Sequence, residues 1–313
     1  MRLRAGSIIL MIVGLGAILA FVYYLHDNWD AYSKLLQISL NPIVLLLTAT
    51  SLSSFLNGLI TVYLFRGLGI GLQVREGFFL SSASTLANQL PVSGGMITRA
   101  LYLKHKHGLS YTTFISTSFA LYFCFVSANG FIGVLTLIYL DLFTQSNIPV
   151  FLMLGFIMMS CCILLFKIPI ERIPEPSRFQ HRLVQILEGW RMLGKQPGML
   201  GRILVLQMLM MLLLAFRYWL AFQMLSQDIS AAHALLFSSA SVLTQLVSIA
   251  PGGLGVTEAI VAGVATLLGF DTGVSVVAVG LDRLISTSII VLIGGISVMA
   301  LNIRSSEARN SEL

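Results

Sequence analysis

Five ionisable residues lie within strongly apolar stretches of this chain: Arg99, Arg217, Glu258, Asp282 and Arg283. A charged side chain at the centre of a bilayer costs about 2.5 to 3.5 kcal/mol on insertion scales, so such residues usually mark a pathway or a binding site. Arginine offers forked N–H donors that suit phosphate oxygens. These residue types therefore predict a substrate site for an anionic group, such as a lipid headgroup.

Two of these charges each follow a break in the apolar sequence. Arg99 follows Gly94 and Gly95, and Glu258 follows the stretch APGGLGV. The breaking residues of that stretch are Pro251, Gly252, Gly253 and Gly255. A helix that begins after each break would direct unpaired backbone N–H groups at an anion, and the glycines would allow close approach. The alternative is that the glycines only allow helices to pack closely.

The same charges could instead be structural. Arg99 and Glu258 occupy matching positions in two similar segments, so we expect them to lie close together, and an ion pair that locks these segments is the alternative to a substrate site. Asp282 and Arg283 are adjacent on one helix and point in different directions, so each needs another partner. Asp282 with Arg217 is one candidate pair.

The elements that position these residues are two segments broken by glycine and proline, residues 76–103 and 229–268. FFLSSASTLANQL (78–90) aligns with LLFSSASVLTQLV (235–247), and Thr98-Arg99-Ala100 then aligns with Thr257-Glu258-Ala259. We predict that each segment is a re-entrant hairpin of two short helices that enters and leaves on one face. Because three full spans separate the hairpins, the two halves would be inverted repeats, as in many secondary transporters.

Hydroxyl and amide side chains accompany both segments. We expect them to hydrogen-bond between helices, and the alternative is that they line a cavity. They are Ser81, Ser82, Ser84, Asn88 and Gln89 in the first segment and Ser238, Ser239, Ser241, Thr244 and Gln245 in the second.

Composition places the whole chain in a membrane. It is 57% hydrophobic and 10% charged, against roughly 25% charged residues in soluble domains. Six apolar runs are long enough to span a bilayer: 7–25, 42–65, 111–140, 148–168, 203–225 and 274–302. We predict a single all-α transmembrane domain, residues 1–313, with repeats over about 42–140 and 203–302. An amphipathic cytoplasmic linker, about 171–198, would lie on the anionic leaflet.

The net charge of +6 reports topology rather than nucleic-acid binding. With the N-terminus inside, 15 of the 19 Lys and Arg residues fall on the cytoplasmic side, and Lys34 alone falls on the other side. Making residues 76–103 a single crossing would export both Lys104 and Lys106. We therefore expect a multi-pass protein of the bacterial cytoplasmic membrane with both termini in the cytoplasm.

Motifs for catalysis and metal binding are missing from the sequence. The five histidines are scattered, the three cysteines lie within apolar runs, and Walker, GxSxG and HExxH patterns do not occur. We therefore expect no enzymatic activity, no cofactor and no metal.

Three stretches carry a resemblance to a known family: PVSGG followed by Arg99, then APGGLGVTEA, and the closing GLDRLISTSIIVLIGG. Together they resemble the lysylphosphatidylglycerol synthase transmembrane family, the flippase-like domain of multiple peptide resistance factors. The resemblance implies lipid movement between leaflets, with roles for Arg99, Glu258, Asp282 and Arg283. Those factors continue into an aminoacyl-transferase domain, whereas this sequence ends at Leu313, so we expect no lysylphosphatidylglycerol synthesis.

These observations predict a protein that flips an anionic phospholipid or polyprenyl-linked lipid. One alternative is a small-solute or ion-coupled secondary transporter. Another is a non-transporting membrane partner of cell-envelope enzymes. Membrane lipids are the expected partners, and a homo-oligomer or an association with cell-envelope synthesis enzymes is open.

Overall fold

A computed structural model describes residues 40–89, 94–140, 150–161, 194–247 and 255–310. Within these ranges the chain forms nine helices and no strands. In chain order they are α1 (Leu40–Gly67), α2 (Val74–Ala87), α3 (Gly94–His107), α4 (Tyr111–Tyr139), α5 (Val150–Cys161), α6 (Pro197–Met224), α7 (Ala231–Val247), α8 (Val256–Leu267) and α9 (Thr272–Asn310). The prediction of an all-α membrane protein is confirmed.

Four helices are long and apolar enough to cross a bilayer: α1, α4, α6 and the part of α9 from Thr272 to Leu301. They confirm the spans predicted at 42–65, 111–140, 203–225 and 274–302. The predicted span 7–25 lies outside the described residues, as does nearly all of the predicted linker 171–198. Of the predicted span 148–168, the structure describes the 12 residues of α5.

Both broken segments form two short helices each, as predicted. The first hairpin is α2 with α3, and these helices have 14 residues each, or about 21 Å of length against a hydrocarbon core of about 30 Å. The second hairpin is α7 with α8, which have 17 and 12 residues. The chain between the two arms, 90–93 and 248–254, lies outside the described residues.

Local sequence accounts for the sharp turn between α3 and α4. Gly108 has a φ of +69°, a conformation that glycine adopts without strain, and the N–H of Leu109 donates to the carbonyl of Leu103 at 3.3 Å. Ser110 then caps α4 by accepting a hydrogen bond from the N–H of Thr113 at 3.1 Å. The base of the first hairpin is therefore closely connected to a spanning helix.

Helix packing follows a reciprocal pattern. α1 packs against α6, α1 packs against α2, and α6 packs against α7. The first arm of each hairpin also packs against a long helix from the other half of the chain, α2 against α9 and α7 against α4. Glycines permit the closest approaches, since a Cβ on Gly58 would lie 2.8 Å from the Cα of Phe78, and one on Gly294 would lie 2.6 Å from the Cβ of Leu86.

Candidate functional site

Arg217 and Asp282 form a two-bonded ion pair between α6 and α9. Nε of Arg217 donates to Oδ1 of Asp282, and Nη2 donates to Oδ2, both at 2.7 Å. Both side chains are largely buried, with 11% and 7% of their surface exposed. The candidate pairing read from the sequence is confirmed.

Glu258 pairs with Arg283, the chain neighbour of Asp282. Nη1 of Arg283 lies 3.1 Å from Oε1 and 3.3 Å from Oε2 of Glu258. The ion pair between Arg99 and Glu258, which was the alternative to a substrate site, therefore does not form. The reason is that α8 packs directly against α9, which brings the nearer cation to Glu258, whereas α3 packs mainly against α2.

A hydroxyl contact extends this network to α7. The hydroxyl of Thr257 on α8 donates to that of Thr244 on α7 at 3.4 Å. Helices α6 to α9 are thus joined by a network whose two arginines are balanced by two carboxylates.

Arg99 lies in a different environment, between the arms of the first hairpin. Its Nη2 donates to the hydroxyl of Ser81 on α2 at 3.1 Å. Its Nε is buried and finds no acceptor among the described residues. Arg99 is therefore a partly buried cation that is bound by a hydroxyl, a neutral group.

The five carboxylates whose side chains the structure describes are engaged away from Arg99. Glu76 binds Lys106, Asp228 accepts from Gln223, and Asp271 accepts from the N–H of Val274. Glu258 and Asp282 belong to the ion pairs above. The two tip segments outside the described residues, 90–93 and 248–254, contain no Asp or Glu.

The glycines at the first break pack the two arms of the hairpin together. A Cβ on Gly94 would lie 2.5 Å from the carbonyl oxygen of Ala87, and one on Gly95 would overlap the carbonyl oxygen of Ser84. The N–H of Gly95 donates to Oδ1 of Asn88 at 2.9 Å. Close packing is therefore the observed role of these glycines, and Arg99 is the group of this hairpin best able to meet an anion.

At the second break, the structure describes Gly255 and the helix that follows it. Gly255 has a φ of +79°, and its carbonyl accepts the N–H of Ala259 at 3.0 Å, so it starts α8 in a conformation that favours glycine. Pro251, Gly252 and Gly253 lie outside the described residues.

A polar cluster at the base of the first hairpin was missed by the sequence analysis. Oε1 of Glu76 accepts from the hydroxyl of Tyr102 at 2.8 Å and lies 2.9 Å from both Nζ of Lys106 and Nε2 of His107. We call these four residues the Glu76 cluster. The sequence does contain a signal for this cluster. If the two arms pair antiparallel, the carboxylate at the start of α2 must lie beside the donors at the end of α3.

The environment of Glu76, which lies outside the four spanning helices, changes its acidity. Burial alone would raise the pKa of this carboxyl, but hydrogen bonds from Lys106, His107 and Tyr102 and the charge of Lys106 outweigh it. The pKa of Glu76 therefore lies below its ordinary value of 4.5. The cluster holds a charged carboxylate.

Several buried hydroxyls have no partner in the described part of the chain. They include Ser82 on α2 and Ser239 on α7, which occupy matching positions of the two hairpins, together with Ser127 on α4. Unpaired buried polar groups are costly, so they often mark a place where a protein binds an ordered water or a ligand. Within the same ranges, no three His, Cys, Asp or Glu side chains come together as metal ligands.

The chain is similar to known membrane proteins. Residues 9–294 match the model of the family described as "Lysylphosphatidylglycerol synthase TM region". Over 78 residues the chain is 36% identical to the UPF0104 membrane protein PH1989 of Pyrococcus horikoshii. That alignment covers 25% of this chain and 23% of the archaeal protein.

Proposed function

Since the chain belongs to the lysylphosphatidylglycerol synthase TM region family, we propose that it moves an anionic lipid between the two leaflets of the bacterial cytoplasmic membrane. In this proposal the phosphate-bearing headgroup binds Arg99 between the arms of the first hairpin. The acyl or isoprenoid chains stay in the surrounding bilayer, and the protein catalyses no covalent chemistry.

The observation that carries the proposal is the difference among the three intramembrane arginines. Arg217 and Arg283 each have a carboxylate partner, whereas Arg99 has only the hydroxyl of Ser81 among the described residues. A buried charge without a counter-charge loses several kcal/mol of hydration that nothing repays. A phosphate oxygen would restore that balance, and the forked guanidinium suits it.

The surroundings of Arg99 favour a lipid over a soluble anion. On the same helix, Met96, Ile97 and Leu101 expose 43%, 50% and 43% of their surface. A headgroup bound at Arg99 would therefore lie beside apolar side chains that can contact acyl chains. A small hydrophilic solute would leave that surface without a role.

Helix packing supports a route between leaflets. The reciprocal contacts of α2 with α9 and of α7 with α4 are what two inverted repeats, about 42–140 and 203–302, would produce. In the proposed mechanism the charge-balanced helices α6 to α9 form a framework, and the first hairpin moves against it. The headgroup site would then open to alternate sides, and both termini would lie in the cytoplasm.

The test is lipid movement by the purified protein in vesicles of phosphatidylcholine that contain fluorescent phosphatidylglycerol. The outer label is quenched with a membrane-impermeant reductant, and the protected fraction is followed with time. Wild-type protein should move the anionic lipid, and Arg99→Gln should slow that movement by at least about tenfold, equivalent to about 1.4 kcal/mol. Lys104→Gln removes an exposed charge from the same helix and is the matched control.

Two results would contradict the proposal. One is equal movement by wild type and Arg99→Gln. The other is no movement of phosphatidylglycerol, or of any other anionic lipid tried in the same assay, by correctly folded wild-type protein. Uptake of a water-soluble anion in place of lipid would favour the solute-transporter alternative.

A further inference from the structure

The Glu76 cluster has the donor arrangement of an anion site. A hydroxyl, an ammonium group and an imidazole nitrogen converge within 2.8 to 2.9 Å of one carboxylate oxygen, and Nζ of Lys106 lies 3.0 Å from the hydroxyl of Tyr102. A phosphate oxygen can accept the same hydrogen bonds as this carboxylate oxygen. The donors are therefore not specific to Glu76.

The cluster lies on the same helix face as Arg99. Tyr102 and Lys106 follow Arg99 by three and seven residues, which places all three on one side of α3. That side faces α2, because Arg99 binds Ser81 and both Tyr102 and Lys106 bind Glu76. Lys106 lies about 10 Å along the helix axis from Arg99.

Charge around the cluster is strongly positive. Glu76 is the carboxylate that the structure describes at this end of helices α1, α2, α3 and α6. The described basic residues at the same end, besides Lys106, are Arg66, Arg75, Lys104, Lys195 and Arg202. Such a surface attracts the anionic lipids of a cytoplasmic leaflet.

Exposure differs between the carboxylate and its donors. The side chain of Lys106 is 42% exposed and that of His107 is 17% exposed, whereas Glu76 is only 6% exposed. An anion can therefore reach Lys106 from the solvent side while Glu76 holds it from the protein side. The exposed ammonium of Lys106 can therefore be shared with an incoming anion, which then competes with the carboxylate of Glu76 for it.

From this geometry we infer that Tyr102, Lys106 and His107 form an outer site for the phosphate group of a lipid, which Glu76 occupies when no lipid is bound. The inference rests on the proposed function, because the outer site serves as the entry point for a headgroup that then reaches Arg99. Glu76 acts as an internal competitor for these three donors. It thereby sets how much anionic lipid the membrane must contain for lipid movement to reach half of its maximal rate.

The experiment measures lipid movement in phosphatidylcholine vesicles with increasing phosphatidylglycerol content. Glu76→Gln keeps the size of the side chain but removes the competing charge, and it should lower the half-saturating phosphatidylglycerol content by at least about threefold with little change in maximal rate. Lys106→Met removes the exposed donor and should raise that content by a similar factor. Lys104→Gln, which removes one charge of this surface but none of the three donors, should raise that content clearly less than Lys106→Met does.

The outcomes separate this inference from the proposed function. If Glu76→Gln leaves the half-saturating content unchanged or raises it, the internal competitor is excluded. If that variant does not fold, Lys106→Met decides, and an unchanged half-saturating content overturns the outer site. In both cases wild-type movement that Arg99→Gln abolishes would leave the proposed function intact.

Calorimetry with inorganic phosphate alone distinguishes the source of the phosphate group. Weaker binding of inorganic phosphate than of phosphatidylglycerol vesicles, by wild type and by Glu76→Gln, is expected for a lipid site. Equal binding of inorganic phosphate, with no dependence of transport on phosphatidylglycerol content, would overturn the assignment to lipid.

Discussion

The carboxylate of Glu258 lies 3.1 Å from the guanidinium of Arg283, on the helix that follows its own. The adjacent residue, Asp282, binds Arg217 on a different helix. One short segment of α9 therefore holds both α6 and α8. This arrangement balances the charges of the second half and leaves Arg99 without a carboxylate partner in the described structure.

Breaking the Glu258–Arg283 pair should destabilise the protein. Arg283→Met would leave a largely buried carboxylate without its cation, and we expect a loss of about 2 kcal/mol in unfolding free energy. The double variant Glu258→Gln/Arg283→Met should lose less than the sum of the two single variants. Unfolding in detergent micelles, followed by circular dichroism, measures all three, and strictly additive losses would show that the pair contributes no coupling.

The Arg217–Asp282 pair should require arginine rather than any cation. Lysine cannot make both 2.7 Å bonds at once, so Arg217→Lys should lower stability by about 1 to 2 kcal/mol even though the charge is kept. Arg202→Lys, an exposed change on the same helix, is the matched control and should have a smaller effect, because it alters only the contact of the Arg202 guanidinium with the Tyr63 ring, 5.8 Å from the ring centroid. Equal melting temperatures for both variants would mean that the two-bonded geometry is unimportant.

Gly95 should not tolerate a methyl group. A Cβ there would overlap the carbonyl oxygen of Ser84 and lie 2.5 Å from Oδ1 of Asn88, so Gly95→Ala should push the arms of the first hairpin apart. We expect a loss of about 1 to 3 kcal/mol and slower lipid movement. Gly263→Ala is the control, because a Cβ on that exposed helical glycine meets nothing within 4 Å. The melting temperature of Gly95→Ala should fall. That of Gly263→Ala should rise, or should change by a clearly smaller amount.

The contribution of Glu76 to stability should depend on pH. Because the folded protein lowers the pKa of Glu76 below 4.5, the ionised carboxylate stabilises the fold above that value, and this stabilisation is lost as the pH falls through the folded-state pKa. The difference in melting temperature between wild type and Glu76→Gln should therefore be present at pH 7 and shrink below about pH 4. A difference that stays constant between pH 7 and pH 3.5 would mean that the negative charge of Glu76 is not what stabilises the cluster.

Local sequence was sufficient for the elements that carry the site. Uninterrupted apolar runs predicted four spanning helices, and glycine and proline at 94–95 and 251–255 predicted that two further segments break into short helices. The prediction that Asp282 and Arg283 bind different partners also followed from local geometry, because adjacent residues on a helix point about 100° apart. Such features depend on the residues within one or two helical turns.

The identity of each partner was decided by the tertiary structure. The similarity of the two hairpins suggested that Arg99 lies close to Glu258. Because α8 packs on α9, Glu258 instead binds Arg283, which is 25 residues away in the chain. The Glu76 cluster likewise joins the start of α2 to the end of α3. The chain by itself determines which segments enter the membrane, since that depends on summed local hydropathy. Which charges meet there depends on how the helices pack. Packing brings together residues that are far apart in the sequence, and their sequence separation does not predict the distance between them.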